Sequence, residues 1–158
     1  MQILLVSATP FEVLPLQKYL TQHFEQIADN TYQKEKLSIQ LLVTGVGQML
    51  TAFALGNILN QQSFDLLINA GVAGTFDRNL ELGTVVHIIS ERFGDLGAED
   101  HDGSFLDMQE LGLIEANSFP FQDGKLINPS AEAYNFLPKV HGLSVNKVHG
   151  SNVSIASI

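Results

Sequence analysis

The first 22 residues constrain the fold more than any other part of the chain. Residues 3–6 form a continuous apolar run, which predicts a buried strand at the very start. Thr9, Pro10 and Glu12 follow with the pattern of a helix start: an N-cap, a proline in the first helical position, and an acid three residues after the cap. Apolar positions then continue at helical spacing to about residue 22. A strand that leads directly into a helix predicts an α/β domain.

The rest of the chain repeats this alternation. Apolar runs predict further strands at residues 37–44, 64–69, 84–90 and 143–148, with a short strand and turn within 26–36. Helices are predicted at 49–59, which looks buried, and more briefly within 105–116 and 130–137, with an acidic loop at 94–104. Together these elements predict one three-layer domain over residues 1–158, in which helices flank a central mixed, twisted sheet.

Charge and composition exclude several classes of protein. The net charge is −9, from eight Lys and Arg against seventeen Asp and Glu, whereas a nucleic-acid binder normally carries a basic stripe. No apolar stretch reaches the roughly 20 residues of a membrane span, and no basic, apolar leader is present. The chain has no cysteine, so a thiolate nucleophile and a disulfide framework are excluded. A cytoplasmic protein is therefore expected, without nucleic-acid or membrane partners.

Four predicted strands end in segments that could build a site, because ligands of open α/β sheets collect at the carboxyl ends of strands. These segments are residues 7–12, 44–47, 69–74 and 148–152, and three of the four contain glycine.

Several of the same segments resemble the purine nucleosidase and nucleoside phosphorylase superfamily. They are residues 8–13 (ATPFEV), 44–47 (TGVG), 68–74 (INAGVAG) with 82–86 (LGTVV), and 145–151 (VNKVHGS). Within that superfamily, residues 94–100 (GDLGAED), 105–112 (FLDMQELG) and 143–151 (LSVNKVHGS) look like futalosine hydrolase, an enzyme of the alternative menaquinone pathway. The superfamily continues with a ribose-binding segment of the Met-Glu-Gly type, which does not occur before Ile158. The resemblance thus predicts a nucleoside phosphorylase-like fold that lacks its C-terminal part.

The resemblance also implies an activity and a set of site residues. It implies hydrolysis of a 6-oxopurine nucleoside, with futalosine giving hypoxanthine and dehypoxanthine futalosine, without cofactor or metal. Glu12 would be the catalytic base that deprotonates water. The predicted substrate contacts are Val46, Val72, Ala73, Gly74 and Asn152. Family members are commonly homo-oligomers, so a dimer is favoured, and the apolar helix 49–59 could pack either in the core or between subunits.

Simpler interpretations of these residues stay open. Glu12 could serve solely as the cap of its helix. Gly71 and Gly74 could serve solely to supply the positive φ of a tight turn. His149 could lie near substrate, but a satisfied or surface histidine is the simpler reading. The acidic residues of the 95–102 loop lack calcium-loop spacing and are better explained as solvated.

Other functions remain as alternatives. A methylthioadenosine/adenosylhomocysteine nucleosidase would perform the same chemistry on a 6-aminopurine. A truncated and inactive nucleoside-binding or interaction module is an alternative of another class. A phosphorylase would need several cationic groups around phosphate, for which two separate arginines, Arg78 and Arg92, are a poor supply. A dinucleotide-binding fold is disfavoured because no Gly-x-Gly-x-x-Gly follows the first strand.

Overall fold

The computed structural model describes residues 1–129 and 134–156. The chain divides into two compact units, Met1–Phe76 and the part from Asp77 onward. The single domain expected over residues 1–158 stays a prediction. None of the described helices is long and apolar enough to cross a membrane.

The first unit is a five-stranded mixed sheet with two helices. Its elements in chain order are β1 (Gln2–Ser7), α1 (Pro10–His23), β2 (Glu25–Ala28), β3 (Thr31–Lys34), β4 (Leu37–Val43), α2 (Gln48–Gln61) and β5 (Leu66–Asn69). The strand order is β2-β3-β4-β1-β5, in which β4, β1 and β5 are parallel and β2 and β3 form an antiparallel hairpin against β4. Parallel connections are almost always right-handed. Because β1 leads to β4 in one direction and β4 leads to β5 in the other, that rule puts α1 and α2 on opposite faces of the sheet.

The core of this unit lies between α1 and the sheet. Leu4, Leu5 and Val6 of the interior strand β1 are buried, as the continuous apolar run predicted. Val13 and Leu20, seven residues apart and therefore on one helical face, are the buried residues of α1. They pack with Leu5, Tyr32 of β3 and Leu41 of β4 in a single cluster. This packing fixes the start of α1 against the end of β1.

The helix predicted at 49–59 is present as α2, but it is not buried within the described residues of this chain, and its packing between subunits stays a prediction. None of its residues is buried, and Met49 and Phe53 are 85% and 77% exposed. They stand four residues apart and so share one face of the helix. The apolar sequence of α2 indicates that one face of the helix packs against something, but not against what. Within the described residues, nothing covers the face that carries Met49 and Phe53 fully.

The second unit contains short strands and long connections. Its elements are β6 (His87–Phe93), β7 (Gly97–Glu99), β8 (Phe105–Asp107), β9 (Leu126–Ile127), β10 (Lys139–Ser144) and α3 (Asn152–Ala156). β6 is the centre of a three-stranded sheet, parallel to β10 and antiparallel to β9, and β7 pairs with β8 in a hairpin.

Several sequence predictions for this unit are wrong. Residues 105–116 form β8 and turns instead of a helix: Asp107 Oδ1 accepts the backbone N–H groups of Gln109 and Glu110 as a helix N-cap does, but Gly112, at φ 67°, ends the helical path after one turn. The late strand runs over Lys139–Ser144, four residues earlier than predicted, in parallel register with β6. The acidic loop contains β7, and a short helix α3 follows Ser151, where none was expected. Of the helix predicted at 130–137, residues 130–133 lie outside the described residues, and 134–137 are not helical.

Candidate active site

The carboxyl ends of three parallel strands meet at one edge of the first unit. Ser7 at the end of β1 lies beside Val43 of β4, and Val6 lies beside Asn69 of β5. The ladder continues one residue beyond each neighbour: the Thr44 N–H donates to the Ser7 carbonyl at 2.9 Å and the Ala70 N–H to the Val6 carbonyl at 2.8 Å. These bonds bring the start of α1 and the loops after β4 and β5 to the same edge.

Both carboxylate oxygens of Glu12 are held at this edge. Oε2 accepts the backbone N–H of Thr9 at 2.7 Å and the Thr9 hydroxyl at 2.9 Å. Oε1 accepts the backbone N–H of Val72 at 3.1 Å, across 60 residues of sequence. Glu12 therefore caps α1 and also ties the helix to the loop after β5. The capping interpretation and the catalytic one are compatible, because Oε1 takes no part in the cap.

These contacts keep the Glu12 carboxyl anionic. The N–H of Val72 is the largest influence and lowers its pKa below the ordinary 4.5. Partial burial acts in the opposite direction, and the Thr9 and Ala8 groups add further lowering. The carboxylate is therefore ionised at neutral pH, the protonation state that a general base requires, although the lowered pKa makes it a weaker base than an ordinary glutamate.

Gly71 allows this contact by having no side chain. A Cβ built on Gly71 would lie 2.9 Å from Glu12 Oε1, closer than real Cβ atoms come to a neighbour. Neither Gly71 nor Gly74 adopts a positive φ. The interpretation that these two glycines serve a left-handed turn is therefore wrong, and at Gly71 the requirement is space.

The loop after β4 uses its glycines differently. Gly45 and Gly47 have φ values of 87° and 105°, in the region that favours glycine. They flank Val46, which is 71% exposed. Gly47 then leads into α2, where its carbonyl accepts the N–H of Thr51 at 3.1 Å.

The structure brings some of the predicted site residues together. Val72 contacts Glu12 directly through its backbone, its side chain is 85% exposed, and Ala73 and Gly74 continue the same exposed loop. Val46 follows the neighbouring strand β4 at the same edge. Asn152 belongs to the second unit, where it is the exposed first residue of α3. The substrate contacts themselves stay predictions.

In the second unit, the acidic loop uses its carboxylates for local hydrogen bonds. Asp95 accepts the backbone N–H groups of Asn146 and Lys147 at 2.5 and 3.2 Å, which ties this loop to the segment after β10. Asp102 accepts the Ser104 hydroxyl at 2.7 Å. Over residues 1–129 and 134–156, no group of three or more His, Asp or Glu side chains could hold a metal ion. His149 hydrogen-bonds through Nδ1 to the hydroxyl of Ser154.

The sequence predicted the cap at the start of α1, and the structure confirms it: Thr9 is the N-cap, and its N–H and hydroxyl both donate to Oε2 of Glu12. Sequence reasoning missed the role of Gly71. Gly71 was considered as the glycine of a tight turn, and in the structure it leaves space for Glu12. No local pattern could have revealed this role, because Gly71 and Glu12 are far apart in the sequence.

Comparison with known proteins agrees with the resemblance at the level of the fold. No protein-family model matches the chain. A curated 5′-methylthioadenosine/S-adenosylhomocysteine nucleosidase from Maridesulfovibrio salexigens is 28% identical over 131 residues, which are 80% of this chain and 54% of the relative. The Streptococcus pneumoniae MTA/SAH nucleosidase in complex with 8-aminoadenine superimposes with a TM-score of 0.68 at 21% identity, over 99% of this chain and 69% of that one. A futalosine hydrolase mutant of Helicobacter pylori gives a TM-score of 0.67 at 14% identity, over 97% of this chain and 72% of that one.

The predicted fold class is thereby confirmed: the chain has a mixed sheet flanked by helices, as these nucleosidases have. The chain spans about half the length of the curated relative that it matches.

Proposed function

We propose that this protein hydrolyses the N-glycosidic bond of a purine nucleoside, with Glu12 as the general base. The observation that carries the proposal is the position of the Glu12 carboxylate. It is anionic, anchored through both oxygens, and lies at the carboxyl edge of the parallel strands beside the exposed 70–74 loop. The match to a nucleosidase of related sequence supports the same chemistry.

The reaction needs a base because water is a poor nucleophile. Glu12 accepts one proton from water while the water oxygen bonds to the anomeric carbon of the ribose. The bond from that carbon to the purine nitrogen breaks, and its electron pair leaves with the purine. The departing purine takes up one proton from solvent and becomes the free purine. A positioned general base contributes typically 10²–10⁴-fold to such a step.

The loops around Glu12 fit a nucleoside by their chemistry. Val46 and Val72 expose apolar surface on either side of β1, and small residues follow at Ala73 and Gly74. By the resemblance, Val46 faces the substituent on the ribose 5′ carbon, and the 72–74 segment lines the sugar and base. Asn152 is a further substrate contact within this proposal.

Two substrate classes fit, and both carry a 5′ substituent. The curated relative and most of the solved neighbours are MTA/SAH nucleosidases, which favours a 5′-modified adenosine. The acidic 94–100 segment and the 105–112 segment resemble futalosine hydrolase, and one solved neighbour carries that name, which favours a 6-oxopurine. Menaquinone biosynthesis would be the pathway only in the second case.

The test is release of free purine by the full-length gene product, followed by HPLC with 5′-methylthioadenosine and with futalosine, each with and without phosphate. Adenine or hypoxanthine should appear at the same rate with and without phosphate. The faster substrate identifies the class. Turnover that requires phosphate would refute hydrolysis, and ligand-dependent stabilisation with no product from either substrate would indicate the inactive binding module.

A homo-oligomer is part of the proposal, and a dimer is favoured. The resemblance implies it, and the face of α2 that carries Met49 and Phe53 needs a cover. Size-exclusion chromatography with light scattering should give twice the monomer mass. A Met49→Glu/Phe53→Glu double variant should shift that mass to the monomer if this face forms the contact, and an unshifted dimer would place the contact elsewhere.

A further inference from the structure

The two oxygens of Glu12 differ in how many hydrogen bonds they accept. A carboxylate oxygen offers about two lone-pair positions. Oε2 accepts two donors, the Thr9 N–H at 2.7 Å and the Thr9 hydroxyl at 2.9 Å. Oε1 accepts one close donor, the Val72 N–H at 3.1 Å, and the Ala8 backbone acts on the carboxylate more weakly. One lone pair of Oε1 is thus left for a further donor, while Oε2 is fully engaged in capping α1.

The position of Oε1 depends on the absence of a side chain at Gly71. A methyl group there would approach Oε1 to 2.9 Å and the carboxyl carbon Cδ of Glu12 to 3.5 Å. Both contacts are made by the end of one flexible side chain. Glu12 therefore has to move away from Val72 when a side chain is added, whereas the backbone of the loop does not.

We propose that Gly71 is a positioning residue for Glu12: its missing side chain lets Oε1 reach the Val72 N–H, and this leaves Oε1 as the oxygen that takes the proton from water. The inference rests on the proposed function for the water, and on geometry alone for the position of the carboxylate. It gives one carboxylate two separate tasks. Oε2 holds the helix and Oε1 performs the chemistry.

Substituting Gly71 by Ala tests this without disturbing the backbone. The φ of Gly71 is outside the left-handed region, so alanine can adopt the same conformation. The expected result is a kcat lower by about 10- to 100-fold with KM changed little, because displacement of a reacting group by about 1 Å can cost about 100-fold. The acidic limb of the profile of kcat/KM against pH should move to higher pH, since Glu12 loses the Val72 donor that lowers its pKa most.

A second readout does not depend on turnover. Titration of the Glu12 carboxyl by ¹³C NMR, in full-length protein labelled at glutamate, reports the pKa directly, and the Glu12→Gln variant assigns the resonance. The Gly71→Ala variant should titrate at higher pH than the unmodified protein. Gly74→Ala is the matched control. It adds the same methyl to the same loop with no atom within 4 Å, so the Glu12 titration should be unchanged in it.

Failure of the inference is distinguishable from failure of the proposed function. If the unmodified protein cleaves nucleosides but the Glu12 carboxyl has the same pKa in Gly71→Ala as in the unmodified protein, Gly71 does not position Glu12. If the titration moves and kcat stays unchanged, Oε1 is not the proton acceptor. If the unmodified protein releases no purine from either substrate, the proposed function and the Oε1 assignment fall together, and the titration alone decides whether Gly71 positions the carboxylate.

Discussion

The loops after β4 and β5, the two strands on either side of β1, contain glycines for different physical reasons. After β4, Gly45 and Gly47 adopt φ values of 87° and 105°, which side chains disfavour. After β5, Gly71 has no positive φ, and the carboxylate of Glu12 occupies the space that a Cβ would need. The first loop needs glycine to turn the chain. The second needs glycine to let another side chain approach, and this is why only the second contributes directly to the candidate base.

This comparison predicts that substitution of Glu12, whose carboxylate lies beside Gly71, has the largest effect on catalysis. Glu12→Gln should lower kcat by about 10²–10⁴-fold, or about 3–5 kcal/mol of barrier, because an amide keeps an acceptor oxygen but cannot take a proton. Purine release by the full-length protein measures it. Glu25→Gln, at an exposed position on β2, is the control and should keep full activity. A Glu12→Gln variant of normal kcat would leave capping as the only role of Glu12.

Replacing a glycine in the turn after β4 should lower the stability of the fold. Gly47 has φ 105° and ψ 151°, a conformation almost confined to glycine. Gly47→Ala should therefore lower the free energy of unfolding by about 1–3 kcal/mol, although no atom lies near the added methyl. Urea denaturation measures the change. Unaltered stability would mean that this turn relaxes at no cost, and would remove the distinction between the two loops.

Gly71→Ala should do the reverse, with a large effect on catalysis and a small one on stability. Alanine lowers the entropy of the unfolded chain by an amount worth about 0.4–1 kcal/mol, and the weakened Glu12 contact offsets about as much. The same urea titration should place this variant within about 1 kcal/mol of the unmodified protein. A loss as large as that of Gly47→Ala would contradict the conclusion that only a flexible side chain has to move.

The smallest expected effect is in the pH dependence of stability. The pKa of Glu12 is lower in the folded protein than its ordinary 4.5, so its ionisation stabilises the fold above that pH. This contribution is lost as the pH falls through the folded-state pKa. The difference in unfolding free energy between the unmodified protein and Glu12→Gln should therefore shrink from pH 7 towards pH 3. A constant difference would mean that Val72 does not stabilise the anion.

Local patterns predicted the first unit better than the second. The start of α1, the positions of β1, β4 and β5 along the chain and the glycines after β4 and β5 are as expected, because apolar runs, caps and glycine act over a few residues. The second unit was predicted less well, since its strands are short and its connections depend on side-chain hydrogen bonds such as those of Asp107. Exposure of α2 was also missed, because composition does not say which partner covers a face.

By itself, the sequence determined that this is an α/β chain with an acid at the head of its first helix and small residues at its strand ends. The tertiary structure alone decided which oxygen of that acid caps the helix and which faces the β5 loop. It also decided that Gly71 provides space while Gly45 and Gly47 provide a turn. The reason is range: a cap forms within three residues, whereas the contact of Glu12 with Val72 spans 60 and exists only once the parallel strands have assembled.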